Sequence, residues 1–333
     1  MSLLQQSIRC FSQLSSGRKG MAVVVGRHQA LEWLGNRSLR PPLSVSTMST
    51  MAPSSEISSS SSSSTNTNPP ELLTLYQYAI CPYCNIAKAL LNYTKTKFTI
   101  QEVNPLTKKE LKHLPDPTYR KVPILLVQST TNHNTDNNSN LQEEKAKPQQ
   151  QQINGSESIV DHILSTITTT TTTTTMSDTL DTTSASSQQW TQFARDELAP
   201  LLYPNLCNTL ANSYAAFGYV HGIHSPFTMT QRYAIQMIGS VAMYLAASKV
   251  KKKRNITDEH AALFSALQEF NNALVVGGGA FLNPSANTPH LGDLTVYGVL
   301  RGLQGLPILN DIRTSFPLID DWYQRMEVCV EQV

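Results

Sequence analysis

The chain has 333 residues, a formal net charge of +2 and 15% charged residues. This length accommodates two domains of ordinary size, and the near-neutral balance gives no electrostatic reason to expect a nucleic-acid partner. The five cysteines are widely spread, unlike the disulfide framework of a small secreted protein. The sequence has no stretch of about 18 uninterrupted apolar residues, so we predict no transmembrane span.

Residues 1–70 predict a transit peptide followed by a disordered Ser-rich segment. Up to Pro53 there are six basic residues against the single acid Glu32, and such Arg-rich, Ser-rich composition is typical of organelle transit peptides. The string Arg9-Cys10-Phe11-Ser12 resembles a mitochondrial processing site, although a plastid address or a cytoplasmic location after processing fits the same composition. A merely disordered basic tail is the alternative interpretation.

Residues 71–167 alternate between strand and helix patterns in the order β-α-β-α-β-β-α. This order is that of a thioredoxin-like, glutaredoxin-type α/β domain. Residues 129–151, between the last two strands, are rich in Asn, Thr and Gln and predict a disordered insertion. The predicted elements are Leu72–Tyr78, Pro82–Tyr93, Phe98–Val103, Pro105–Leu114, Val122–Gln128, Gln152–Asn154 and Ser156–Ile167.

Residues 168–187 are rich in Ser and Thr and predict a linker to a second domain, 188–333. There the alternation of a strand is rare and helical periodicity dominates, so we predict an all-α domain. Its predicted helices are Gln188–Leu198, Pro204–Gly218, Pro226–Val250, Asp258–Val276, Leu291–Gly302 and Pro317–Val330.

The motif Cys81-Pro82-Tyr83-Cys84 lies between the first strand and the first helix. A strand that turns into a helix there places Cys81 at a helix N-terminus, where unpaired N–H groups and the helix dipole lower the pKa of a thiol. Cys84 follows one turn later, where it can attack a mixed disulfide on Cys81. Half of a zinc site or two core cysteines are the alternatives, but the chain contains no second C-x-x-C.

Two further strings predict a site for an extended peptide such as glutathione. Pro123 opens an apolar strand, and a cis-proline there would leave the backbone of Val122 free to pair with the peptide. A trans-proline on an edge strand is the alternative. Gly155-Ser156-Glu157 precedes the last helix of the domain, and we expect Ser156 to cap it and the free N–H groups to hold a carboxylate.

Other motifs predict structure rather than chemistry. Asp293 near a helix start is expected to stabilise that helix, and the basic run Lys251–Arg254 to end another one. The pair His221 and His224 has helical spacing, but no third ligand accompanies it, and we predict no metal site.

The motifs together resemble the membrane-associated type-2 prostaglandin E synthase family. The resemblance runs from about residue 71 to residue 330, interrupted by the low-complexity segments. It is carried by Leu75-Tyr76-Gln77-Tyr78, Cys81-Pro82-Tyr83-Cys84, Glu102-Val103-Asn104-Pro105, Tyr119-Arg120-Lys121-Val122-Pro123-Ile124-Leu125, Ala242-Met243-Tyr244-Leu245 and Leu291-Gly292-Asp293-Leu294-Thr295-Val296-Tyr297-Gly298-Val299-Leu300-Arg301.

The resemblance implies a glutaredoxin-like domain followed by a glutathione-transferase-like helical domain, commonly as a homodimer. It implies thiol-dependent isomerisation of prostaglandin H2 to prostaglandin E2, with glutathione bound and haem able to bind with it. The family's N-terminal membrane segment has no counterpart here, which leaves at most peripheral association with a membrane.

Carried over by motif, the catalytic thiol is Cys81, with Tyr78 and Tyr83 near it. Val122 contacts glutathione, and Gly155-Ser156 stands where relatives have an Asp-Ser pair. The missing carboxylate predicts a weaker grip on the glutathione amino group unless Glu157 replaces it, and predicts tighter binding for Gly155→Asp.

Three functions compete. An isomerase would use the Cys81 thiol on a lipid endoperoxide, with a base that the sequence does not identify. A thiol–disulfide oxidoreductase would use Cys81 and Cys84 on a glutathione mixed disulfide. A non-enzymatic binding module would retain the thiols without using them.

Overall fold

The computed structural model describes residues 71–129, 149–170, 180–222, 225–283 and 288–331, with the backbone alone for 167–170. The predicted transit peptide and Ser-rich segment lie outside these ranges. So do most of the predicted insertion and the middle of the predicted linker. All described residues belong to one compact unit.

A four-stranded sheet forms the first part of the structure. Its strands are β1 (Glu71–Gln77), β2 (Phe98–Glu102), β3 (Ile124–Ser129) and β4 (Gln150–Asn154). The spatial order is β2-β1-β3-β4, with β1 and β2 parallel and the other two pairs antiparallel. This is the thioredoxin-like arrangement that the sequence predicts, in which a βαβ unit (β1-α1-β2) and the β-hairpin of β3 and β4 share one sheet.

Ten α-helices accompany the sheet within the described ranges. Helices α1 and α2 belong to the sheet domain, and α3–α10 form the all-α part that the sequence predicts. They are α1 (Pro82–Tyr93), α2 (Ser156–Thr170), α3 (Ala185–Phe193), α4 (Ala199–Leu206), α5 (Leu210–Ala216), α6 (Met229–Arg254), α7 (Glu259–Val276), α8 (Leu291–Arg301), α9 (Pro307–Ser315) and α10 (Pro317–Glu331).

The two faces of the sheet are covered differently. Leu73 and Leu75 of β1 and Leu125 of β3 pack against α1 and α2 in the larger core. On the opposite face, Ile124 and Leu126 pack with residues of the segment between β2 and β3, in a smaller core that also contains both motif cysteines. Strand β3 is therefore buried on both faces, which explains its uninterrupted apolar run.

The predicted helix Pro105–Leu114 is wrong in type. The structure has a single 3₁₀ turn, Lys109–His113. The side chain of Asn104 accepts hydrogen bonds from the N–H groups of Leu106 and Thr107, and Lys108 then adopts a left-handed conformation with φ of 49°. A left-handed residue cannot continue an α-helix, so the segment divides into two short turns.

The helical part differs from prediction mainly at its boundaries. Helix α3 begins inside the predicted linker, and a π turn, Ala194–Leu198, joins it directly to α4. The predicted helix Pro204–Gly218 is wrong, because Pro204 lies within α4 and Thr209 caps a separate helix, α5. Helix α9 was not predicted, because glycines and prolines surround it and it has only nine residues.

Helix α8 supports the helix that carries the cysteine motif. A Cβ atom at Gly298 would lie 2.6 Å from the Cα atom of Ile86 and 2.9 Å from the carbonyl oxygen of Asn85. The absent side chain therefore lets the backbones of α8 and α1 approach directly. At Gly302, one turn later, a Cβ would lie 3.3 Å from the carbonyl oxygen of Ile80. The two glycines place α8 directly behind the motif.

Asp293 holds the start of α8, as predicted. Its fully buried carboxylate accepts hydrogen bonds from the backbone N–H groups of Leu282 and His290 and from the indole N–H of Trp322. His290 and Asp293 form a capping box. The residue is thus a structural acid, and its three donors come from separate segments of the helical part.

The basic run Lys251–Arg254 ends α6, as the sequence predicts. None of the helices in the described part of the chain combines enough length with enough apolarity to cross a membrane.

We predict that Gly298→Ala lowers the free energy of unfolding by roughly 2 kcal/mol or more, because the methyl group meets the α1 backbone, which cannot move aside freely. Helix propensity alone would favour alanine by about 1 kcal/mol. A decrease in the free energy of unfolding can therefore be attributed to the clash. Denaturant unfolding measures the change. Gly218→Ala is the matched control, because its Cβ would meet only the Gln236 side chain, at 3.9 Å. Equal stability of the two variants would contradict the prediction.

Candidate active site

The cysteine motif sits at the start of α1, as predicted. Cys81 is the N-cap residue with an extended backbone, and Pro82 occupies the first helical position. Pro82 has no N–H group that could be left unpaired there, and its fixed φ suits the first turn. The N–H of Asn85 closes the first helical hydrogen bond on the carbonyl of Cys81, at 3.0 Å.

The surroundings of Cys81 favour its thiolate. The hydrogen bond from the Cys84 thiol is the main cause that lowers the pKa of Cys81, and N–H groups of Cys84 and Tyr83 and the hydroxyl of Tyr203 contribute to the same direction. Burial opposes them, because only 8% of the residue is exposed. The donors prevail because they are aimed at the sulfur from the helix start.

Cys84 has the opposite character. It is fully buried, and this burial raises the pKa of its thiol well above the usual range. The hydrogen bond with Cys81 and the charge of the Cys81 thiolate act in the same direction. The two thiols are therefore differentiated as the sequence predicts: the pKa of Cys81 is lowered, and Cys84 keeps its proton and donates it in a hydrogen bond to Cys81.

A tight turn precedes Cys81 and is fixed by side chains. The N–H of Cys81 donates to the carbonyl of Tyr78 at 2.9 Å. The side-chain amide of Asn85 donates to the carbonyls of Ala79 and Cys81, at 2.8 and 3.0 Å. Asn85 is buried, so these bonds are shielded from water and hold the turn against the first turn of the helix.

A cleft opens beside Cys81. Its walls come from the motif, from the segments around Pro105 and Val122, and from the helical part of the chain. Most of the lining is aromatic or aliphatic, and the described residues that form it include no carboxylate and no histidine. The lining residues are Tyr78, Ile80, Cys81, Tyr83, Pro105, Leu106, Lys121, Val122, Tyr203, Phe217, Tyr219, Gly239, Ala242 and Met243.

One wall of the cleft depends on a glycine of α6. A Cβ at Gly239 would lie 2.5 Å from the ring of Phe217. The ring therefore packs directly against the bare backbone of α6, and this contact limits how Phe217 can be placed in the wall of the cleft.

Four tyrosines surround the cleft. Burial is the main cause that raises the pKa of Tyr83 to about 12, and the phenol donates a hydrogen bond to the carbonyl of Arg195 at 3.2 Å. Burial also raises the pKa of Tyr203 and of Tyr219 well above the usual range. These phenols stay neutral at physiological pH and can act as hydrogen-bond donors. Tyr78 is buried and lines the cleft next to Cys81.

The predicted peptide-binding strings come together. The peptide bond between Val122 and Pro123 is cis, as predicted, and Val122 lines the cleft. The N–H of Gly155 donates to the carbonyl of Pro123 at 3.0 Å, which brings the start of α2 beside the cis-proline. The two strings are therefore neighbours in space, next to the cysteine motif.

The details at the start of α2 differ from prediction. The carbonyl of Gly155 accepts the first helical hydrogen bond, from Ile159, so Gly155 caps the helix and Ser156 is its first residue. The side chain of Glu157 is 73% exposed and forms an ion pair with Arg195 at 3.2 Å.

The expectation that Gly155→Asp tightens glutathione binding stays a prediction, but the structure shows that the substitution carries a conformational cost. Gly155 has a φ of +88°, a conformation that a residue with a side chain rarely adopts. An aspartate there would strain the turn that links α2 to Pro123, so the substitution does not simply restore a carboxylate.

Several residues at the site were missed in the sequence. Tyr203, Phe217, Tyr219 and Met243 reach the cleft from the helical part, more than a hundred residues after the motif. Nothing in their local sequence distinguishes them from core residues, because the contact exists only through tertiary structure. Glu102 belongs to one of the strings that carry the family resemblance, but the sequence indicated no functional role for it.

Glu102 is a half-buried carboxylate beside the motif turn. Its Oε1 atom accepts a hydrogen bond from the N–H of Ala79 at 2.8 Å, and its Oε2 atom accepts one from the amide of Gln77 at 3.2 Å. Burial raises the pKa of this carboxyl group to about 7, against the lowering effect of these bonds and of Lys88.

Comparison with known proteins agrees with this architecture. Residues 75–167 match the family described as "Glutathione S-transferase, N-terminal domain". Prostaglandin E synthase 2 of Mus musculus is 26% identical over 284 residues, which cover 78% of this chain and 71% of that protein. The chain is similar to prostaglandin E synthase 2. The protein of the same name from Danio rerio is 27% identical over 289 residues, 78% of this chain and 72% of that protein.

Among solved structures, the beta-etherase LigF from Sphingobium sp. strain SYK-6 covers 78% of this chain and 97% of its own, with 11% identity and a TM-score of 0.45. The resemblance stated from the motifs is thus confirmed by the curated relatives. The relatives and the fold support a glutathione-related function.

Haem, which the resemblance also implies, receives no support from the site. The lining of the cleft supplies no histidine. Among the described residues, no group of three or more His, Cys, Asp or Glu is placed to hold a metal ion; His224 lies outside them.

We predict that iodoacetamide at pH 7 labels Cys81 and leaves Cys84 unlabelled in the folded protein, because only Cys81 has a lowered thiol pKa. Cys84→Ala should raise the pKa of Cys81, since it removes the strongest donor, and should shift the thiolate absorbance at 240 nm to higher pH. Cys207→Ala is the control, because Cys207 is buried away from the cleft. Faster labelling of Cys84 in peptide mass spectra would contradict the assignment.

Proposed function

We propose that this chain is a glutathione-dependent enzyme that uses the Cys81 thiolate on an apolar substrate, and that its reaction is isomerisation of prostaglandin H2 to prostaglandin E2. The observation that carries the proposal is a stabilised thiolate at the wall of a mainly apolar cleft. A lipid endoperoxide needs apolar surface over most of its length and a reactive group at one point. The similarity to prostaglandin E synthase 2 supports the choice of substrate.

The residues present suit glutathione binding. Val122, before the cis-proline, offers its backbone to an extended peptide, and the start of α2 next to Pro123 offers free N–H groups to a carboxylate. Bound there, glutathione supplies a second thiol close to Cys81. Arg195 is a cation close to this helix start, because it forms an ion pair with Glu157.

The lining of the cleft assigns the missing base. Because the described lining has no carboxylate or histidine, we assign removal of the substrate proton to the Cys81 thiolate itself. The proton leaves the carbon that bears one endoperoxide oxygen, a C=O bond forms there and the O–O bond breaks. The other oxygen becomes a hydroxyl by taking the proton from the Cys81 S–H, which restores the thiolate. Tyr203, neutral and hydrogen-bonded to Cys81, is placed to donate to that oxygen as its charge develops.

A second candidate is thiol–disulfide exchange with a glutathione mixed disulfide. The observation that favours it is the direct hydrogen bond between the Cys84 thiol and the Cys81 sulfur, which places both cysteines for closure to a disulfide. Isomerisation has no use for a second protein thiol as a reactant.

Assays of three substrates separate the candidates. We expect Cys81→Ser to abolish formation of prostaglandin E2 and reduction of a glutathione mixed disulfide. Cys84→Ser should retain both, since the serine hydroxyl still donates to Cys81, and should lose only reduction of a protein disulfide that needs two thiols. If the wild type forms no prostaglandin E2 above the uncatalysed rate yet reduces the mixed disulfide, the second candidate is correct. Equal loss of isomerisation in both variants would require a dithiol mechanism instead.

The size of the cleft provides an independent test. Ala242 is a buried lining residue of α6, and we expect Ala242→Phe to reduce kcat/KM for prostaglandin H2 by roughly tenfold or more by filling space that the lipid needs. The rate at which a small reagent alkylates Cys81 should change little in the same variant. Ser248→Phe, at an exposed position of the same helix outside the cleft, is the control. An unchanged kcat/KM of Ala242→Phe for prostaglandin H2 would show that the lipid does not bind in this cleft.

Two further features remain proposals. A homodimer, implied by the resemblance, is supported by an exposed apolar stripe of α6 at four-residue spacing, and sedimentation equilibrium tests it. The stripe consists of Met229, Tyr233, Met237, Val241 and Leu245. A mitochondrial address rests on the composition of residues 1–70. Imaging of a fluorescent protein that carries this segment tests it.

A further inference from the structure

Glu102 and Cys84 are attached to the same short stretch of backbone. Glu102, at the end of β2, pairs in register with Gln77 and accepts hydrogen bonds from the amide of Gln77 and the N–H of Ala79. The sulfur of Cys84 has a hydrogen bond with the backbone of Tyr78. The carboxylate and the sulfur are therefore held by three consecutive residues, with the motif turn between them.

We propose that Glu102 accepts the proton of Cys84 when Cys81 and Cys84 close to a disulfide. Cys84 needs such a group because it is fully buried and lines neither the Cys81 cleft nor the second cleft described below. A thiol must lose its proton before its sulfur can attack a disulfide, and solvent does not reach this one. The charge of Glu102 acts on the Cys84 thiol and raises its pKa, after burial and the Cys81 sulfur as the larger causes.

The carboxyl group suits this task at neutral pH. With a pKa raised by burial to about 7, it is about half ionised near pH 7 and can both take up and release a proton. The ionisable groups that face it are Lys88 and Cys84 from α1 and Tyr219 from the helical part. Lys88 favours the carboxylate, and Tyr219 stays neutral because it is buried.

The amide of Gln77 can serve both protonation states of Glu102. Its Nε2 atom donates to the ionised carboxylate, while its Oε1 atom is buried without a hydrogen-bond partner among the described residues. Rotation of the amide by half a turn would present Oε1 to the O–H of a protonated Glu102. A buried carbonyl oxygen without a donor is costly, so its position beside a group that gains a proton gives it a partner in the second state.

The proton has a way out that does not cross the substrate cleft. Glu102 and Ala79 line a second cleft, and Tyr219 borders both clefts. Water in this second cleft reaches the carboxylate. Exchange at Cys81 and release of the Cys84 proton thus take place in different clefts.

The steps balance with glutathione disulfide as the oxidant. The Cys81 thiolate attacks one sulfur of glutathione disulfide, which forms a mixed disulfide and releases one glutathione thiolate. Cys84 transfers its proton to Glu102, and its thiolate attacks the sulfur of Cys81. The second glutathione thiolate leaves, the disulfide between Cys81 and Cys84 remains, and Glu102 releases its proton to the second cleft. These reaction steps do not depend on the physiological substrate or on isomerase activity.

The test measures each step separately in the full-length protein. Reduced protein is mixed with glutathione disulfide at pH 5.5 to 8.5 and quenched with acid, and mass spectrometry quantifies the mixed disulfide and the closed disulfide. We expect Glu102→Gln to leave formation of the mixed disulfide unchanged and to slow closure at pH 7.5 by about 100-fold, the usual contribution of a proton-transfer group. In the wild type, closure should become faster as pH rises through about 7, where Glu102 ionises, and Glu102→Gln should lose this inflection.

Glu110→Gln is the matched control, because Glu110 also accepts a backbone N–H, that of Asn104, but lies away from Cys84. In Glu110→Gln, the disulfide between Cys81 and Cys84 should form as fast as in the wild type. Closure of Glu102→Gln at the wild-type rate would overturn the proposal. So would equal slowing of both steps, which would show that Glu102 only holds the turn. Should Glu102→Gln not fold, the wild-type profile decides: closure that rises only at alkaline pH, without an inflection near 7, would also overturn it.

Discussion

The direct approach of α8 to α1 is the constraint on which the site depends. At Gly298 the two backbones meet without a side chain between them, and at Gly302 the same helix reaches the residues just before the motif. Asp293 fixes the start of α8 with donors from three segments. The helical part therefore determines where α1 begins, and with it the direction in which the Cys81 sulfur points. A sheet domain without α8 would retain the motif but not this position.

The chemistry of the motif follows from unequal burial of two identical side chains. Cys81 lies at the open end of a helix, where several donors converge on its sulfur, whereas Cys84 lies one turn inside and is cut off from solvent. Each thiol strengthens the difference, because the proton that Cys84 keeps is the one that stabilises the Cys81 thiolate. Glu102 beneath the turn provides a third ionisable group, which is reached from a separate cleft.

The sequence predicted features that depend on local pattern. The strand order, the cis-proline, the position of Cys81 at a helix start and the structural role of Asp293 all follow from residues close together in the chain, and the structure confirms them. Features that depend on one residue's backbone conformation were wrong, as at Lys108 and Gly155, because a left-handed φ leaves little trace in composition. The helical wall of the cleft could not be predicted, because its residues meet the motif only in three dimensions.

The contact between Phe217 and Gly239 makes a missing side chain part of the wall of the cleft. The ring rests on bare helix backbone, so any larger residue at position 239 would push it inwards and narrow the space beside Cys81. The range of molecules that the cleft admits is therefore set by a residue that offers no functional group and makes no polar contact with them. A change in the preferred ligand would need no substitution of the cysteines, since the size of the residue at position 239 alone would alter the space in the cleft.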